Sequence, residues 1–434
     1  MDRETIAVIG FSALFVLLFI RVPVGLAMMI AGGAGIYMIR PPAALPVIAG
    51  EIFGEASNYP LTILPLFILM GNLAGVSGMS RDLYDAAHSW FGHLKGGLAS
   101  ATIVGCAGFS ALSGSSLAAA LTMGRVSLPE MQRYKYDDGL ATGAVAAGGT
   151  LGILIPPSAG FVVYAILTEE SIGRLFMAGI LPGIILTLLF IGAINLIVSR
   201  NPDAGPQGPR SGRKERMEAL WNATPILAVV LVTIGGMYTG FFTPVEASAV
   251  GAFFTFIIAV FRRSLDFTAV KAVLSQTLGA TATVFLIIIG AFVFIPFMSL
   301  TELSAQLVVI LTSLPIGDIG VLLVIILAYM FLGMFLESMA MLVLTIPVVI
   351  PIAIGLNWDL IWFGIIIVIV LEMGMISPPV GINVFIVKSI APDVPMGQIF
   401  RGIWPFWFAM AFMIFLLIIF PQIALFLPEK VVGG

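Results

Sequence analysis

The sequence Gly152-Ile153-Leu154-Ile155-Pro156-Pro157 lies inside a long apolar segment, and a close counterpart, Gly374-Met375-Ile376-Ser377-Pro378-Pro379, lies inside another. Two successive prolines remove two backbone N–H donors and cannot continue a helix, so each sequence predicts a helix that breaks inside its apolar segment. The first break frees the backbone carbonyl groups around Gly152 and Ile155. A proline kink without function would explain one Pro-Pro pair, but two pairs in matching places favour a functional role for both breaks.

The two Pro-Pro sequences belong to an internal duplication of the chain. Three other pairs of segments match in the same order and at nearly the same offset in numbering: 23–27 with 244–248, 67–71 with 286–290, and 173–176 with 397–400. Between the halves lies the polar run 200–218, whose Pro, Gly and charged residues predict an exposed linker. We therefore predict a first repeat over residues 1–205, a cytoplasmic linker over 206–220 and a second repeat over 221–434.

The composition excludes most soluble classes of protein. Of the 434 residues, 60% are hydrophobic and 10% are charged, against roughly 25% charged residues in ordinary globular proteins. Apolar segments of about 20 residues recur from end to end, which predicts an all-α polytopic membrane protein. The net charge of −3 offers no basic surface for nucleic acid. Two histidines and one cysteine are too few for a zinc site, an iron–sulfur cluster or a disulfide.

The placement of Lys and Arg predicts the orientation in the membrane. We take the apolar stretches 97–128 and 320–350 as re-entrant hairpins and place the N-terminus outside. Sixteen of the 20 Lys and Arg then lie in the cytoplasm, which is a strong positive-inside bias. Each half would have five crossings plus one hairpin, and because five is odd the second repeat is inverted and both termini lie outside. The four basic residues left outside are Arg3, Arg40, Arg174 and Lys430.

The centre of the first hairpin is too polar to face lipid. It reads Ser113-Gly114-Ser115-Ser116, and the duplication aligns it with Phe335-Leu336-Glu337-Ser338 in the second hairpin. Inverted repeats with broken helices are typical of transporters, in which unwound backbone and helix ends bind ions and substrate near the midplane. Serine hydroxyls would supply oxygen ligands for an ion such as Na⁺, and open helix N–H groups would bind a carboxylate. The alternative is that Gly and Ser only permit close helix packing.

Three carboxyl groups lie within or beside apolar segments, where such groups are costly and indicate function. Glu337 is the best candidate because it lies at the second hairpin tip. For Glu372 we keep both a structural hydrogen bond and ion coordination open. Glu246 follows Pro244 near a helix start, so capping is the better interpretation.

These residues resemble a known family. Residues 136–143, the run from Gly149 to Ser158, the tip at 113–116 and residues 243–247 are similar to the large membrane subunit of TRAP transporters, the DctM type. The resemblance covers essentially the whole chain. It implies an elevator-type fold with scaffold and transport domains, a Na⁺-coupled secondary transporter rather than an enzyme, and uptake of an organic acid. It also implies no cofactor, a location in the cytoplasmic membrane of a bacterium or archaeon, a small four-helix membrane subunit and an extracytoplasmic substrate-binding protein.

The resemblance also implies site residues in both halves. Because Ser115 aligns with Glu337, the two halves would not hold the ion in the same way. Substrate contacts are predicted at helix N-termini near the breaks and at the nearest arginine. The predicted first sodium site comprises Ser113, Ser115, Gly152, Ile155 and Pro157; the second comprises Glu337, Gly374, Ser377 and Pro379; the substrate contacts are Ser116, Arg125, Ser158 and Asn383.

Other classes of function remain as alternatives. An ATP-driven permease subunit would need a cytoplasmic coupling segment, and the linker offers none. An ion-coupled carrier that works without a binding protein stays open, and a passive channel is disfavoured only by analogy. An intramembrane enzyme would need a nucleophile beside a base or a metal, and Ser115 has no neighbouring His or Lys.

Overall fold

The computed structural model describes residues 2–313 and 315–432, and within them the chain is helical and contains no β-strand. Residue 1 at the start of the first predicted repeat, and residues 314 and 433–434 of the second, lie outside this part. Two 3₁₀ turns, Tyr59–Thr62 and Pro202–Ala204, complete the ordered elements. The helices are α1 Arg3–Phe19, α2 Val24–Ile39, α3 Pro41–Ala56, α4 Ile63–Val76, α5 Met79–Phe91, α6 Gly97–Ser113, α7 Ser116–Arg133, α8 Asp138–Leu154, α9 Ala159–Thr168, α10 Ile172–Arg200, α11 Arg213–Tyr238, α12 Pro244–Phe261, α13 Phe267–Thr301, α14 Leu303–Ser313, α15 Gly317–Gly333, α16 Ser338–Gly355, α17 Leu360–Met375, α18 Ile382–Ile390, α19 Met396–Ile419 and α20 Gln422–Val432.

Fewer helices are long enough to span a membrane than the sequence predicts. In the described part of the chain, seven helices are long and apolar enough to cross a membrane, or up to eight if the bent pair α8 and α9 is one span. Four more apolar helices, α2, α6, α15 and α17, are too short to meet the same criterion. Three of these four belong to the hairpins and breaks, where α6 ends before Gly114 and α17 ends before the second Pro-Pro pair. The five crossings per half therefore stay a prediction.

Both predicted hairpins form as pairs of helices joined by a short turn. Helices α6 and α7 meet at Gly114 and Ser115, and α15 and α16 meet at residues 334–337. Both breaks also form where the prolines predict them: α8 ends at Leu154 and α17 ends at Met375. The α8–α9 pair bends by 40°, because proline has no N–H with which to extend the helix.

The two broken helices form the centre of the molecule. Every residue of α8 from Gly139 to Leu154 is buried, and so is every residue of α17 from Ile361 to Met375. A helix that is apolar on all sides is stable only when other helices surround it. Small residues permit this packing: a Cβ on Gly402 of α19 would lie 1.8 Å from the Gly139 carbonyl oxygen, so the two backbones touch directly.

The two halves interlock through equivalent pairs of helices. Helix α2 of the first half packs on α13 of the second, and α4 of the first packs on α12 of the second. Helices α2 and α12 start at the matching Pro-Val sequences, and α4 and α13 contain the matching sequences that end at Gly71 and Gly290. Helix α8 likewise packs on α19, and α17 packs on α10. Each half therefore buries its apolar faces against the other half.

The predicted linker has more structure than its composition indicates. Residues 213–220 form the start of α11 instead of an irregular chain. The preceding residues are held to the loop after α5, because Gly96 N donates to Gly205 O at 2.8 Å and Gly208 N donates to Gly92 O at 2.9 Å. The Arg216 guanidinium also lies over the Trp90 ring, 5.6 Å from its centroid. The amino-acid composition of the linker does not show that its backbone groups form hydrogen bonds with the loop after α5.

Candidate functional site

The first hairpin tip is a tight turn between two helices. Gly114 follows the last residue of α6 with φ of +57°, a left-handed conformation that favours glycine. Ser115 then caps α7, since its Oγ accepts a hydrogen bond from Ala118 N at 3.4 Å. Ser113 is buried, and its Oγ has no hydrogen-bond partner within the described residues. The tip therefore presents a buried hydroxyl group to which no described residue forms a hydrogen bond.

This tip docks on the first broken helix. Ala159 N, at the start of α9, donates to Gly114 O at 3.3 Å. A Cβ on Gly114 would lie 2.8 Å from the Pro157 carbonyl oxygen, and one on Gly152 would lie 2.5 Å from the Ser115 carbonyl oxygen. The structure thus brings the turn that follows Ser113 against Gly152 and Pro157, both predicted for the first sodium site together with Ser115. Ile155, the fifth predicted residue, follows the end of α8, between Gly152 and Pro157 in the sequence.

The second hairpin tip docks in an equivalent way. Gly381 N, just before α18, donates to Met334 O at 3.4 Å. A Cβ on Gly374 would lie 2.8 Å from the Gly333 Cα, so the broken helix α17 contacts the end of α15 directly. Both Pro-Pro bonds, 156–157 and 378–379, are cis. The two halves therefore repeat the same arrangement of a hairpin tip against a broken helix.

The polar side chains predicted for the second sodium site form more hydrogen bonds than those predicted for the first. Glu337 caps α16: Met339 N and Ala340 N donate to its Oε2 at 3.0 and 3.2 Å. Ser377 Oγ donates to Met373 O at 2.7 Å and accepts from Trp407 Nε1 at 3.0 Å. The predicted residues lie around one break, but Pro379 is exposed. Trp407 was not predicted, and no repeat of its sequence in the first half indicates it.

Glu372 connects the two hairpin tips. Its Oε1 accepts hydrogen bonds from Ser116 Oγ at 3.1 Å and from Ser338 Oγ at 2.9 Å. Its Oε2 is buried and has no partner in the part of the chain described. Ser338 was not predicted as a site residue, although its alignment with Ser116 in the duplication was a usable signal. The structural hydrogen bond considered for Glu372 is therefore present.

The predicted substrate residues differ in their surroundings. Ser158 is buried and caps α9, with Phe161 N donating to its Oγ at 3.3 Å, while the same hydroxyl donates to Ile153 O. Asn383, at the start of α18, is fully buried, and neither its Oδ1 nor its Nδ2 has a partner among the described residues. Arg125 lies exposed on α7, ten residues or roughly 15 Å along the helix from Ser115. The structure does not bring Arg125 to the tip.

The capping role predicted for Glu246 is confirmed. Thr243 N donates to Glu246 Oε2 at 2.8 Å, and Glu246 N donates to Thr243 Oγ1 at 3.3 Å. This reciprocal pair is a capping box at the start of α12. Glu246 is therefore structural.

No group of three or more His, Cys, Asp or Glu side chains suitable for a metal ion occurs in residues 2–313 and 315–432.

The fold resembles that of a solved membrane transporter. The structure of the YdaH transporter of Alcanivorax borkumensis matches with a TM-score of 0.65 at 14% sequence identity, covering 91% of this chain and 89% of that one. At this identity the likeness concerns the fold alone. It agrees with an all-α, multi-pass membrane protein.

Sequence comparisons identify the family. The profile of the DctM component of the tripartite ATP-independent periplasmic transporters matches residues 11–423. The chain is 34% identical over 402 residues to the C4-dicarboxylate TRAP transporter large permease protein DctM of Pseudomonas aeruginosa, covering 92% of each chain. It is 31% identical over 418 residues to the sialic acid TRAP transporter large permease protein SiaM of Vibrio cholerae, covering 96% of this chain and 97% of that one. The chain therefore belongs to the DctM family and is the large permease subunit of a tripartite ATP-independent periplasmic transporter.

Proposed function

We propose that this subunit imports an organic carboxylate across the cytoplasmic membrane of a bacterium or archaeon, in symport with Na⁺. The observation that carries the proposal is the docking of each hairpin tip on a broken helix. Next to the first break, the buried hydroxyl of Ser113 has no hydrogen-bond partner among the described residues. Unwound backbone that faces a cavity is where secondary transporters bind ions and substrate. ATP-driven transport is not supported, since the family is described as ATP-independent.

The first tip has the ligand chemistry that Na⁺ requires. Hard cations bind oxygen atoms, and this tip combines serine hydroxyls with backbone carbonyl groups freed by the helix break. The Pro157 carbonyl oxygen lies close to Gly114, the residue between Ser113 and Ser115 in the sequence, since a Cβ on Gly114 would be 2.8 Å from it. The second site would use Glu337 with backbone around Gly374, Ser377 and Pro379. Its carboxylate would replace the hydroxyl that Ser115 provides in the first half.

Helix N-termini near the two tips would bind the carboxylate of the substrate. The positive ends of the helix dipoles at the starts of α7, α9 and α18 would favour an anion without any basic side chain, although Ala118 N, Ala159 N and Phe161 N already donate within the fold. Asn383 supports this location, because a fully buried amide with neither polar atom bonded within the described chain calls for a partner from outside it. The names of both relatives contain an organic acid, a C4-dicarboxylate in one and sialic acid in the other. We propose Ser116, Ser158 and Asn383 as contacts.

Transport would follow an elevator mechanism. The two hairpins and the two broken helices would move as one transport domain, and the interlocked helices α2, α4, α12 and α13 would form the fixed scaffold. The hydrogen bonds from Ala159 N to Gly114 O and from Gly381 N to Met334 O support this division, since they join each tip to its own broken helix. A small membrane subunit, which we expect to have four helices, and a periplasmic binding protein would complete the transporter. The tripartite description of the family supports two further components.

Reconstitution of the purified subunits into liposomes tests the proposal. The chain alone, with free dicarboxylate or sialic acid and an inward Na⁺ gradient, should transport little. Addition of the small subunit and the loaded binding protein should restore uptake, and replacing Na⁺ with K⁺ should abolish it. Equal uptake in K⁺ would contradict sodium coupling, whereas strong Na⁺-driven uptake by the chain alone would contradict the partner requirement.

A further inference from the structure

Glu372 lies where three elements of the candidate site meet. It belongs to α17, two residues before Gly374, and it is 1% exposed. Its Oε1 accepts from Ser116 Oγ of the first tip, 256 residues away in sequence, and from Ser338 Oγ of the second tip. One oxygen atom therefore holds both hairpin tips to one broken helix.

The two serines that donate to Glu372 are equivalent in the duplication. Ser116 and Ser338 align with each other, and each is the first residue of the second helix of its hairpin. Each directly follows the cap residue of that helix, Ser115 in the first half and Glu337 in the second. Both cap residues belong to the proposed sodium sites. Glu372 is therefore hydrogen-bonded, in each half, to the residue directly after a proposed sodium ligand.

No cationic side chain forms a hydrogen bond or ion pair with Glu372 within the described part of the chain. A buried carboxyl group is costly, so its retention calls for a role. Packing alone would be served by an apolar residue of similar size.

We propose that Glu372 is a positioning residue that couples the two sodium sites through its hydrogen bonds to Ser116 and Ser338. Sodium bound at one site orders its hairpin tip, and the shared oxygen atom then holds the other tip in the geometry that binds the second ion. The result is cooperative binding, since the second ion meets a site that is already ordered. This inference rests on the proposed sodium coupling.

The test is the Na⁺ dependence of uptake by the complete transporter in liposomes. The variants remove the shared Glu372 oxygen, remove one of the two serine hydroxyls that donate to it, or keep all three groups able to bond. The wild type should have a Hill coefficient above one. Glu372→Leu, Ser116→Ala and Ser338→Ala should each bring it to about one and raise the half-saturating Na⁺ concentration by about fivefold or more. Glu372→Gln should stay cooperative because the amide oxygen still accepts both hydrogen bonds.

Ser127→Ala is the matched control. Ser127 is also buried on α7, and its Oγ has no partner within the described residues, so its removal should leave the Hill coefficient at the wild-type value. If Glu372→Leu does not fold, the two serine variants still decide, because each removes a single oxygen.

Three results would overturn the coupling role of Glu372. They are a Hill coefficient of one in the wild type, cooperativity that persists in both serine variants, and loss of cooperativity in Glu372→Gln to the same extent as in Glu372→Leu. Uptake by the wild type that ignores Na⁺ altogether would instead refute the proposed function on which this role depends. A merely structural role would lower the amount of folded protein without changing the Hill coefficient.

Discussion

The substitution Gly114→Ala tests whether the contact between the first hairpin tip and the first break forms the sodium site. Gly114 has φ of +57°, and an added Cβ would lie 2.8 Å from the Pro157 carbonyl oxygen and 3.2 Å from Ala159 N. Ordinary contacts of a Cβ begin at 3.4 Å, and both neighbours are backbone atoms that cannot rotate away. The tip and the break must therefore separate by about 0.6 Å.

Two effects of different size follow from this separation. A left-handed alanine costs about 1–2 kcal/mol of stability wherever it occurs. Ligands of a binding site must be held to within about 0.5 Å of their working positions, and a misplacement of about 1 Å costs on the order of 100-fold. A separation of about 0.6 Å should therefore weaken Na⁺ binding by roughly tenfold on the same scale.

Gly78→Ala is the control that separates the two effects. Gly78 has φ of +77°, and a Cβ there would have no atom within 4 Å. Both variants should lose the stability that a left-handed alanine costs, and Gly114→Ala should lose more because its Cβ also pushes packed backbone apart. Only Gly114→Ala should raise the half-saturating Na⁺ concentration of uptake. If the two folded variants differ by less than twofold in this concentration, the close contact at Gly114 does not define a sodium site.

Three further substitutions give independent checks. Ser113→Ala should weaken Na⁺ binding severalfold while thermal stability stays within about 0.5 kcal/mol of the wild type, because the buried hydroxyl has no hydrogen bond to lose within the described residues; unchanged Na⁺ affinity would remove Ser113 from the site. Asn383→Leu should raise the substrate concentration for half-maximal uptake at least tenfold and leave stability equal or higher, since the amide makes no hydrogen bond within the described chain; an unaltered substrate dependence would show that Asn383 faces no ligand. Gly212→Cys on a Cys106→Ala background should resist impermeant thiol reagents in intact cells, because the positive-inside bias places the linker in the cytoplasm; rapid labelling would reverse the orientation.

The residues that interrupt helices were the most informative part of the sequence. Two Pro-Pro pairs in register predict two breaks, and the helices end at Leu154 and Met375 as expected. The glycine and serine residues around Gly114 predict a hairpin tip in the same way. These features are local, because a missing N–H or a positive φ acts on the turn in which it occurs.

Prediction from sequence was weaker where polar atoms find partners far along the chain. Arg125, the nearest arginine predicted as a substrate contact, is exposed about 15 Å along α7 from Ser115. Residues 213–220 have the composition of a flexible linker but form the first turns of α11. The composition of residues 213–220 did not reveal the helix that they form.

The sequence by itself determined the all-α membrane class, the duplication, the positions of the breaks and the family. Long apolar segments, Pro-Pro pairs and short matching motifs can each be read directly from the order of residues. Only the tertiary structure decided which of the described oxygen atoms lack partners and which are bonded. Glu372 reaches Ser116 across 256 residues of chain, and Trp407 reaches Ser377 across 30. Such contacts depend on how buried helices pack against one another, and packing is a property of all the helices together rather than of any one segment.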